Sequence, residues 1–435
     1  MKSRLSVVFA VLVFAVLPVS AKEVSSAKAK KIGRTLQNLM KGERKESIKE
    51  VIEEIARLDN EKVAKYLPAA ATVIPSHDNY QAALEAVAKS RSKASIELLS
   101  EMLGRKRGDY RQNVFILEAF GLRKDSISRV AIEGQIDSKI SHIQVAAIRA
   151  GRKRRISKIV PKLIDVVEQH QKVRDREYLE ARIALIDLTG QDFKEIADWR
   201  KWWGNVAENF SAKRKKKGKS KTSIKLKKPE DAVEFFGEEV FSRNLLFVID
   251  TSGSMTADSR IDRAKEQLAE AIKALKPRTL FNVIAYSDGV RTFQKSMQPA
   301  SKGTVKKALK WATSLGAAGG TQTENALRKA FEDIRVDTII LLTDGAPSPR
   351  LGGGPRRGGG GGGGRGGQPD PSIAIKNILK WFKDANSTRK IRVDTFGFDG
   401  GAPAGGGGGQ GGVNVFTKFL KDLAKMSGGK YRSID

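Results

Sequence analysis

The sequence predicts a multidomain protein in which an all-α domain of helical repeats precedes a doubly wound α/β domain. Three observations support this prediction. Apolar residues recur at helical spacing between residues 25 and 211, and the breaks between these segments are short. A dense run of lysine and arginine follows, which is typical of a linker. From residue 241 onward, short apolar segments alternate with amphipathic ones, as strands and helices do around a mostly parallel sheet.

Composition limits the classes of function. The chain has 435 residues, which is enough for two or three domains, and its formal charge is +31 at pH 7. Such a charge attracts polyanions and is typical of a surface that binds them. A basic protein whose charges are solvated and spread over helix faces would have the same composition, and the two interpretations have equal weight. The absence of cysteine excludes disulfides, thiolate zinc sites and a cysteine nucleophile. The three histidines lie far apart in the sequence, so a histidine-based hydrolase is not expected.

The N-terminal segment has the pattern of a secretory signal. Lys2 and Arg4 precede an apolar run, and small residues ending at Ala21 form a cleavage site. The sequence therefore predicts a signal peptide at residues 1–21 and an extracytoplasmic location, which is periplasmic, cell-envelope or secreted. An uncleaved N-terminus that anchors the chain in a membrane is the alternative. No later segment is long and apolar enough to cross a bilayer, so we expect no integral membrane span after cleavage.

Residues 25–211 are predicted to form one helix after another. The segments ALEAVAKSRSKASIELL, ILEAFGLRKDSISRVAI and AAIRAGRKRRISKIVPKL align at offsets of roughly 30 residues, which is typical of stacked helix pairs. The pattern resembles HEAT-like repeats, and a non-repetitive helical bundle is the alternative. Trp199, Trp202 and Trp203 share one face of the last helix. We expect them to cap the helical core, although an exposed binding stripe would have the same spacing.

Three segments are expected to form neither helices nor strands: a linker between the two domains and two loops within the α/β domain. Residues 212–240 are interpreted as a basic linker, because the like charges between Lys213 and Lys228 repel one another. Contact of this run with an anionic polymer is an alternative to a plain tether. Glycine-rich stretches at residues 352–367 and 400–412 follow strand ends, so we interpret them as loops on the ligand-binding edge of the sheet.

Residues 241–435 are predicted to form the doubly wound α/β domain, with a Rossmann-like alternation of strands and helices. The segments NLLFVID, TLFNVIAYS, VDTIILLTD, KIRVDTFGF and KYRSI have the apolar character of strands. Amphipathic segments such as SRIDRAKEQLAEAIKAL and SIAIKNILKWFKDA separate them. Ligands of such sheets bind at the carboxyl ends of the strands, so the turns that follow the strands are the first place to look for a site.

Polar side chains with oxygen donors follow two of these strands. Asp250, Ser252 and Ser254 stand on the turn after LLFVID, in the motif DTSGS. Thr321, in AAGGTQTENAL, precedes a helix, and Asp344 ends the strand TIILLTD. One carboxylate and two hydroxyls on a tight turn suit a magnesium-type cation, because Mg²⁺ prefers hard oxygen ligands.

These three segments resemble the metal-ion-dependent adhesion site (MIDAS) of von Willebrand factor A (VWA) domains, whose motif is DxSxS. The resemblance covers about residues 241–435. It implies that Ser252, Ser254 and Thr321 bind a cation directly, and that Asp250 and Asp344 hold it directly or through water. It also implies Mg²⁺ or Mn²⁺ as the ion, with an open position for an acidic group.

Four neighbouring polar residues are interpreted as structural rather than as ligands. Ser287 and Asp288, in AYSDG, are expected to be turn residues. Thr251 and Thr323 are expected to form hydrogen bonds within their loops.

The resulting functional prediction is an exported, metal-dependent binding module for adhesion or assembly. Its partner would be a protein or surface ligand that presents an acidic group to the cation. The alternative is a polyanion-binding protein whose basic surface contacts RNA or an anionic envelope polymer, since helical repeats followed by an A domain also resemble Ro-type RNA-binding proteins. Catalysis is not expected, because no general base, nucleophile motif or phosphate loop accompanies the ligands.

Overall fold

The computed structural model describes residues 24–103, 109–212, 232–348, 371–398 and 415–434. The predicted signal peptide, the run from Lys213 to Lys228 and both glycine-rich stretches therefore lie outside the described residues. Within the described ranges, no helix combines the length and the apolar character that a membrane span requires.

The described residues between 24 and 212 form an all-α domain, as the sequence predicts. Their apolar residues line one side of each helix, as in the second helix, where Ile48, Val51, Ile52 and Ile55 are buried. The helices are α1 (Ser26–Lys41), α2 (Lys45–Leu58), α3 (Glu61–Ala64), α4 (Leu67–Thr72), α5 (His77–Lys89), α6 (Lys93–Leu103), α7 (Tyr110–Phe120), α8 (Ser126–Gln135), α9 (Ser141–Arg154), α10 (Val160–His170), α11 (Arg176–Thr189) and α12 (Ile196–Val206). Short 3₁₀ turns at Ser157–Ile159 and Ala207–Asn209 precede α10 and follow α12.

Short polar side chains begin several of these helices. Ser25, Ser76, Asp125 and Asp175 each accept a hydrogen bond from a main-chain N–H of the first turn. Such caps satisfy donors that have no partner inside the helix. Packing then runs from layer to layer, with α2 against α5, α5 against α7, α7 against α9 and α9 against α11. This order fits helical repeats, and their assignment to the HEAT type stays a prediction.

The tryptophans of α12 close the helical core. Trp199 is fully buried, and its Nε1 donates a hydrogen bond of 3.0 Å to the carbonyl of Phe193. Trp202 and Trp203 are half-buried, and their rings lie 5.7 and 5.3 Å from the ring of Phe210. The expectation that this stripe caps the core is confirmed.

The remaining described residues form the α/β domain around a seven-stranded sheet. The sheet contains β3 (Asn244–Asp250), β4 (Leu280–Tyr286), β5 (Val290–Thr292), β6 (Gln298–Pro299), β7 (Thr338–Thr343), β8 (Arg392–Phe398) and β9 (Tyr431–Ile434). Two short strands before it, β1 (Glu234–Phe235) and β2 (Glu238–Glu239), form a separate hairpin. The helices of the domain are α13 (Arg260–Ala274), α14 (Lys302–Thr313), α15 (Thr323–Ala330), α16 (Pro371–Arg389) and α17 (Val415–Ser427), and a 3₁₀ segment covers Gly253–Ser259. The sheet order is β5-β4-β3-β7-β8-β9, in which β5 and the side strand β6 pair antiparallel with β4 and the other pairs are parallel.

Helices cover both faces of this sheet. Leu245, Phe247 and Ile249 of β3 pack with α13 and α14 on one face, whereas Leu246 and Val248 pack with α15, α16 and α17 on the other. Because successive side chains of a strand point to opposite faces, only a continuous apolar strand suits this central position. The predicted doubly wound architecture is confirmed.

The hairpin of β1 and β2 extends the α/β domain beyond its predicted start. Phe235 is fully buried, with its ring 5.8 Å from that of Phe247 and 5.0 Å from that of Phe396. Residues 232–240 therefore pack on the sheet, so the predicted linker at 212–240 is too long at its C-terminal end. The mixture of charged and apolar residues in PEDAVEFFGEE hides the buried Phe235, because a strand of two residues has no readable period.

The two domains meet at the amino ends of the strands. Arg176 of α11 is buried, and its Nη1 donates hydrogen bonds of 3.0 Å to the carbonyls of Asp337 and Lys390, which precede β7 and β8. Arg174 forms an ion pair with Glu239 of the hairpin, with 2.9 Å between Nη2 and Oε2. The helical domain thus lies at the edge of the sheet opposite to the carboxyl ends of the strands.

Candidate metal centre

Three loops meet at the carboxyl edge of β3, β4 and β7. Main-chain hydrogen bonds join them: Gly253 N–H donates to the carbonyl of Gly319 at 2.9 Å, and Ala318 N–H donates to that of Thr251 at 2.9 Å. The N–H of Ser348 donates to the carbonyl of Thr321 at 2.8 Å. The loop before α15 is thereby held against the loops that follow β3 and β7.

Four of the five predicted ligands form one connected group. Asp250 Oδ1 accepts a hydrogen bond of 2.8 Å from the N–H of Ser252. The Oγ atoms of Ser252 and Ser254 lie 3.1 Å apart, and Ser254 Oγ donates to Asp344 Oδ1 at 2.8 Å. Residues that are 90 positions apart in the chain thus share one corner of the sheet.

Thr321 joins this group across Gly345. A Cβ atom placed on Gly345 would lie 3.8 Å from Thr321 Oγ1 and 3.9 Å from Ser254 Oγ. Both hydroxyls therefore flank the same point, where glycine leaves room. All five residues proposed from the sequence lie together at one edge of the sheet.

The two carboxylates have different surroundings. Asp250 is fully buried. Its pKa is raised to about 6, because burial and, to a smaller extent, the nearby charge of Asp344 outweigh the hydrogen bonds from Thr343 and Ser252, which lower it. Asp344 is paired with Arg260 of α13, with 2.9 Å between Nη1 and Oδ2. The side chains of Arg260 and Asp344 are 7% and 0% exposed, so this ion pair is shielded from water.

The donor set fits a hard divalent cation. Mg²⁺ and Mn²⁺ prefer oxygen ligands, and hydroxyl and carboxylate oxygens are what these loops bring together. A buried carboxylate such as Asp250 is disfavoured in its charged form, and a nearby cation reverses that preference. Ser252, Ser254 and Thr321 would hold the ion, and both aspartates would neutralise its charge.

Three residues at the site were missed by sequence reasoning. Thr343 Oγ1 donates to Asp250 Oδ2 at 2.5 Å, and Tyr286 Oη lies 3.5 Å from the same oxygen. Arg260 is the third, through its contact with Asp344. Thr343 stands directly before Asp344 in the sequence, but no local pattern indicates that its hydroxyl reaches Asp250.

The turn residues of the second strand support the site from outside. Asp288 Oδ1 accepts a hydrogen bond of 2.8 Å from the N–H of Gly320, beside Thr321. Gly319 has a φ of +83°, and a Cβ atom there would lie 2.3 Å from Asp288 Oδ2, so only glycine fits. Thr251 Oγ1 donates to the carbonyl of Tyr286 at 3.0 Å, which confirms its predicted role within the loop.

Replacing Asp288 with alanine is expected to lower the free energy of unfolding by about 1 kcal/mol, because one hydrogen bond to the loop is lost. The same change should weaken Mg²⁺ binding several-fold, since Thr321 is held less firmly. Urea unfolding and calorimetric Mg²⁺ titration measure the two effects. An Asp288→Asn variant keeps the acceptor oxygen and should behave like the wild type. If Asp288→Asn lost as much stability and Mg²⁺ affinity as Asp288→Ala, the proposed role of the Asp288 oxygen as a hydrogen-bond acceptor would be contradicted.

Residues 245–346 match the family model described as the von Willebrand factor type A domain. This part of the chain is a VWA domain. The protein is 35% identical over 119 residues to the mouse inter alpha-trypsin inhibitor heavy chain 4 and 32% identical over 217 residues to the bovine inter-alpha-trypsin inhibitor heavy chain H4. It is 24% identical over 194 residues to the human von Willebrand factor A domain-containing protein 3A.

These alignments cover part of each protein. They span 25%, 46% and 44% of this chain, but only 12%, 20% and 13% of the mouse, bovine and human proteins. Among solved structures, a von Willebrand factor type A protein from Catenulispora acidiphila is similar at 21% identity, with a TM-score of 0.32 over 44% of this chain and 38% of the other. The PilB minor pilin from Streptococcus sanguinis is similar at 19% identity, with a TM-score of 0.32 over 44% of this chain and 56% of the other.

Proposed function

We propose that this protein is an exported, metal-dependent binding module that acts in adhesion or assembly. A divalent cation, Mg²⁺ or Mn²⁺, binds at a complete MIDAS and bridges to an acidic group of a protein or surface ligand. The observation that carries this proposal is the convergence of three hydroxyls and two carboxylates at the carboxyl edge of the VWA sheet.

The charges at the site favour an acidic partner. Asp250 and Asp344 contribute two negative charges when both are ionised, and Arg260 offsets one of them. A divalent cation therefore leaves the site with a net positive charge. The formal charge of the chain, +31, adds a long-range attraction for anionic surfaces.

The position of the site suits capture of a large ligand. Ser254 is exposed, so a partner can reach the group of ligands from solvent. The helical domain docks at the opposite edge of the sheet, through Arg176 and Arg174. We propose that this domain serves as a platform that presents the metal site outward.

Export and the absence of catalysis complete the proposal. The signal pattern at residues 1–21 supports a location outside the cytoplasm. The side chains at the site are hydroxyls and carboxylates that suit holding an ion, so we infer that the metal serves binding and that the protein is not an enzyme.

Capture by the wild-type protein is expected to require both the cation and Asp344. The experiment is a pull-down of envelope proteins with the chain lacking residues 1–21, in Mg²⁺ and in EDTA, together with calorimetric Mg²⁺ titration. Asp344→Ala should lose Mg²⁺ binding and capture, because it removes a ligand that is buried at the site.

The matched control is Asp262→Ala, which removes a carboxylate that is 71% exposed on α13. This variant should bind Mg²⁺ and partner as the wild type does. Partner retention that is equal in Mg²⁺, in EDTA and in Asp344→Ala would overturn the proposal.

The alternative function, binding of RNA or an anionic envelope polymer, is favoured by a basic surface of the helical domain. A cavity of about 330 Å³ is lined by Arg149, Arg152, Lys153, Arg155 and Asp187. Binding of this kind falls steeply as salt rises, because counterions are released from the polymer, and it does not need the cation. A salt titration in the presence of EDTA separates the two functions.

A further inference from the structure

Arg260 forms a direct ion pair with a predicted metal ligand. It is the first residue of α13 and is 6% exposed. Its Nη1 lies 2.9 Å from Asp344 Oδ2, and its Nη2 lies 3.2 Å from Asp258 Oδ2. The other oxygen of Asp344, Oδ1, accepts from Ser254. Arg260 and the hydroxyl of Ser254 therefore contact different oxygens of the Asp344 carboxylate.

The backbone before Arg260 has an unusual conformation. Asp258 and Ser259 both adopt left-handed geometry, with φ of 51° and 52°. Each costs about 1 kcal/mol in a residue other than glycine. Two such residues in succession reverse the chain directly before α13, and the first side chain of the helix then points back at Asp344. Strain of this kind persists where surrounding contacts, here the buried ion pair, hold it.

We propose that Arg260 is a built-in counter-cation of the metal site. It neutralises Asp344 in the metal-free protein and leaves only Oδ1 for an incoming ion. Without it, the buried charges of Asp250 and Asp344 would repel each other with no basic group between them. This inference rests on the proposed metal-dependent function and names the residue that regulates it.

The arrangement has a consequence for binding order. Arg260 and a divalent cation repel each other, so the arginine lowers the affinity of the site for the metal alone. An anionic group of a partner offsets this repulsion. Metal and acidic ligand are therefore expected to bind cooperatively, and the metal site is only fully loaded when the partner is present.

The test compares Arg260→Gln with the wild type by thermal unfolding and by calorimetric titration with MgCl₂. Arg260→Gln should melt at a lower temperature in EDTA, bind Mg²⁺ about tenfold more tightly and gain more from Mg²⁺ in melting temperature, because one like charge beside the ion is gone. Arg260→Lys keeps the positive charge but cannot contact Asp344 and Asp258 with two separate nitrogens. Its melting temperature and its Mg²⁺ affinity should therefore lie between those of the wild type and Arg260→Gln. A purely structural arginine would instead lower the melting temperature equally with and without Mg²⁺ and leave the affinity unchanged.

The control variant is Arg392→Gln, which breaks a similarly buried ion pair with Asp394 at the far end of β8. It should lower stability without changing the response to Mg²⁺. If the wild type binds Mg²⁺ and Arg260→Gln binds it no more tightly, the inference fails while the metal site stands. If neither protein responds to Mg²⁺, the proposed function and the inference both fail. Equal unfolding of Arg260→Gln in Mg²⁺ and in EDTA also overturns the inference.

Discussion

The substitution Asp250→Asn is expected to stabilise the metal-free protein and to abolish its response to Mg²⁺. Asp250 is fully buried, and its pKa is raised from 3.8 to about 6. The folded state therefore binds this proton more tightly than the unfolded state, so the stability contribution is complete below pH 3.8 and is lost as the pH rises through 6. At neutral pH the loss amounts to about 3 kcal/mol, which a neutral amide avoids.

The amide also preserves the local hydrogen bonds. Its oxygen can accept from Ser252 N–H, and its NH₂ group can donate to Thr343 Oγ1, at the positions where the carboxylate now accepts. The substitution instead lowers the affinity of the site for Mg²⁺, since a neutral amide does not balance a divalent charge. Removing one acidic group is thus expected to raise stability without the ion and lower it, relative to wild type, with the ion.

Urea unfolding in EDTA and in excess Mg²⁺ measures both effects. The order of stability of wild type and Asp250→Asn should reverse between the two conditions. Asp262→Asn, at a carboxylate that is 71% exposed, is the matched control and should change neither value. A variant that is less stable in EDTA, or that still gains from Mg²⁺, would contradict this account of the site.

Acid is expected to destabilise the interface between the two domains through His142 of α9. Burial, together with the charges of Arg176 and Arg389, lowers the pKa of His142 from 6.5 to about 4. Its ring lies 4.6 Å from that of Tyr110. Because the folded state holds this histidine neutral, its contribution is complete above pH 6.5 and is lost as the pH falls towards 4. The expected loss is about 3 kcal/mol.

Unfolding measured across this pH range tests the expectation. His142→Gln should remove most of the pH dependence, because glutamine does not gain a proton. Tyr110→Phe keeps the histidine and its ring contact, so its stability should still fall in acid. Parallel curves for His142→Gln and the wild type would show that another group carries the acid sensitivity.

Local patterns are sufficient for most of the helices and for the long strands of this fold. The spacing of Ile48, Val51, Ile52 and Ile55 predicts a helix that is buried on one side, and the structure buries those residues. The unbroken apolar run before Asp250 predicts a strand covered on both faces, and β3 is such a strand. Neither prediction requires a long-range contact, because period and polarity are properties of neighbouring residues.

The candidate site was predictable to the extent that its residues follow strands. The carboxyl ends of parallel strands meet at one edge, so the sequence predicts that Asp250 and Asp344 share that edge, and the pairing of β3 with β7 in the structure brings them close. The hairpin around Phe235 was not predictable in this way. Its two-residue strands have no period, and the burial of Phe235 depends on Phe247 and Phe396, which are distant in the chain.

The sequence by itself therefore determined the order of the main helices and long strands, and it indicated five oxygen-bearing residues at strand ends and turns. The tertiary structure alone decided what surrounds them. Arg260 meets Asp344 across 84 residues, and Arg176 crosses from the helical domain to the amino edge of the sheet. Such contacts depend on strand order and domain docking. These arise from burial summed over the whole chain, which no local period encodes.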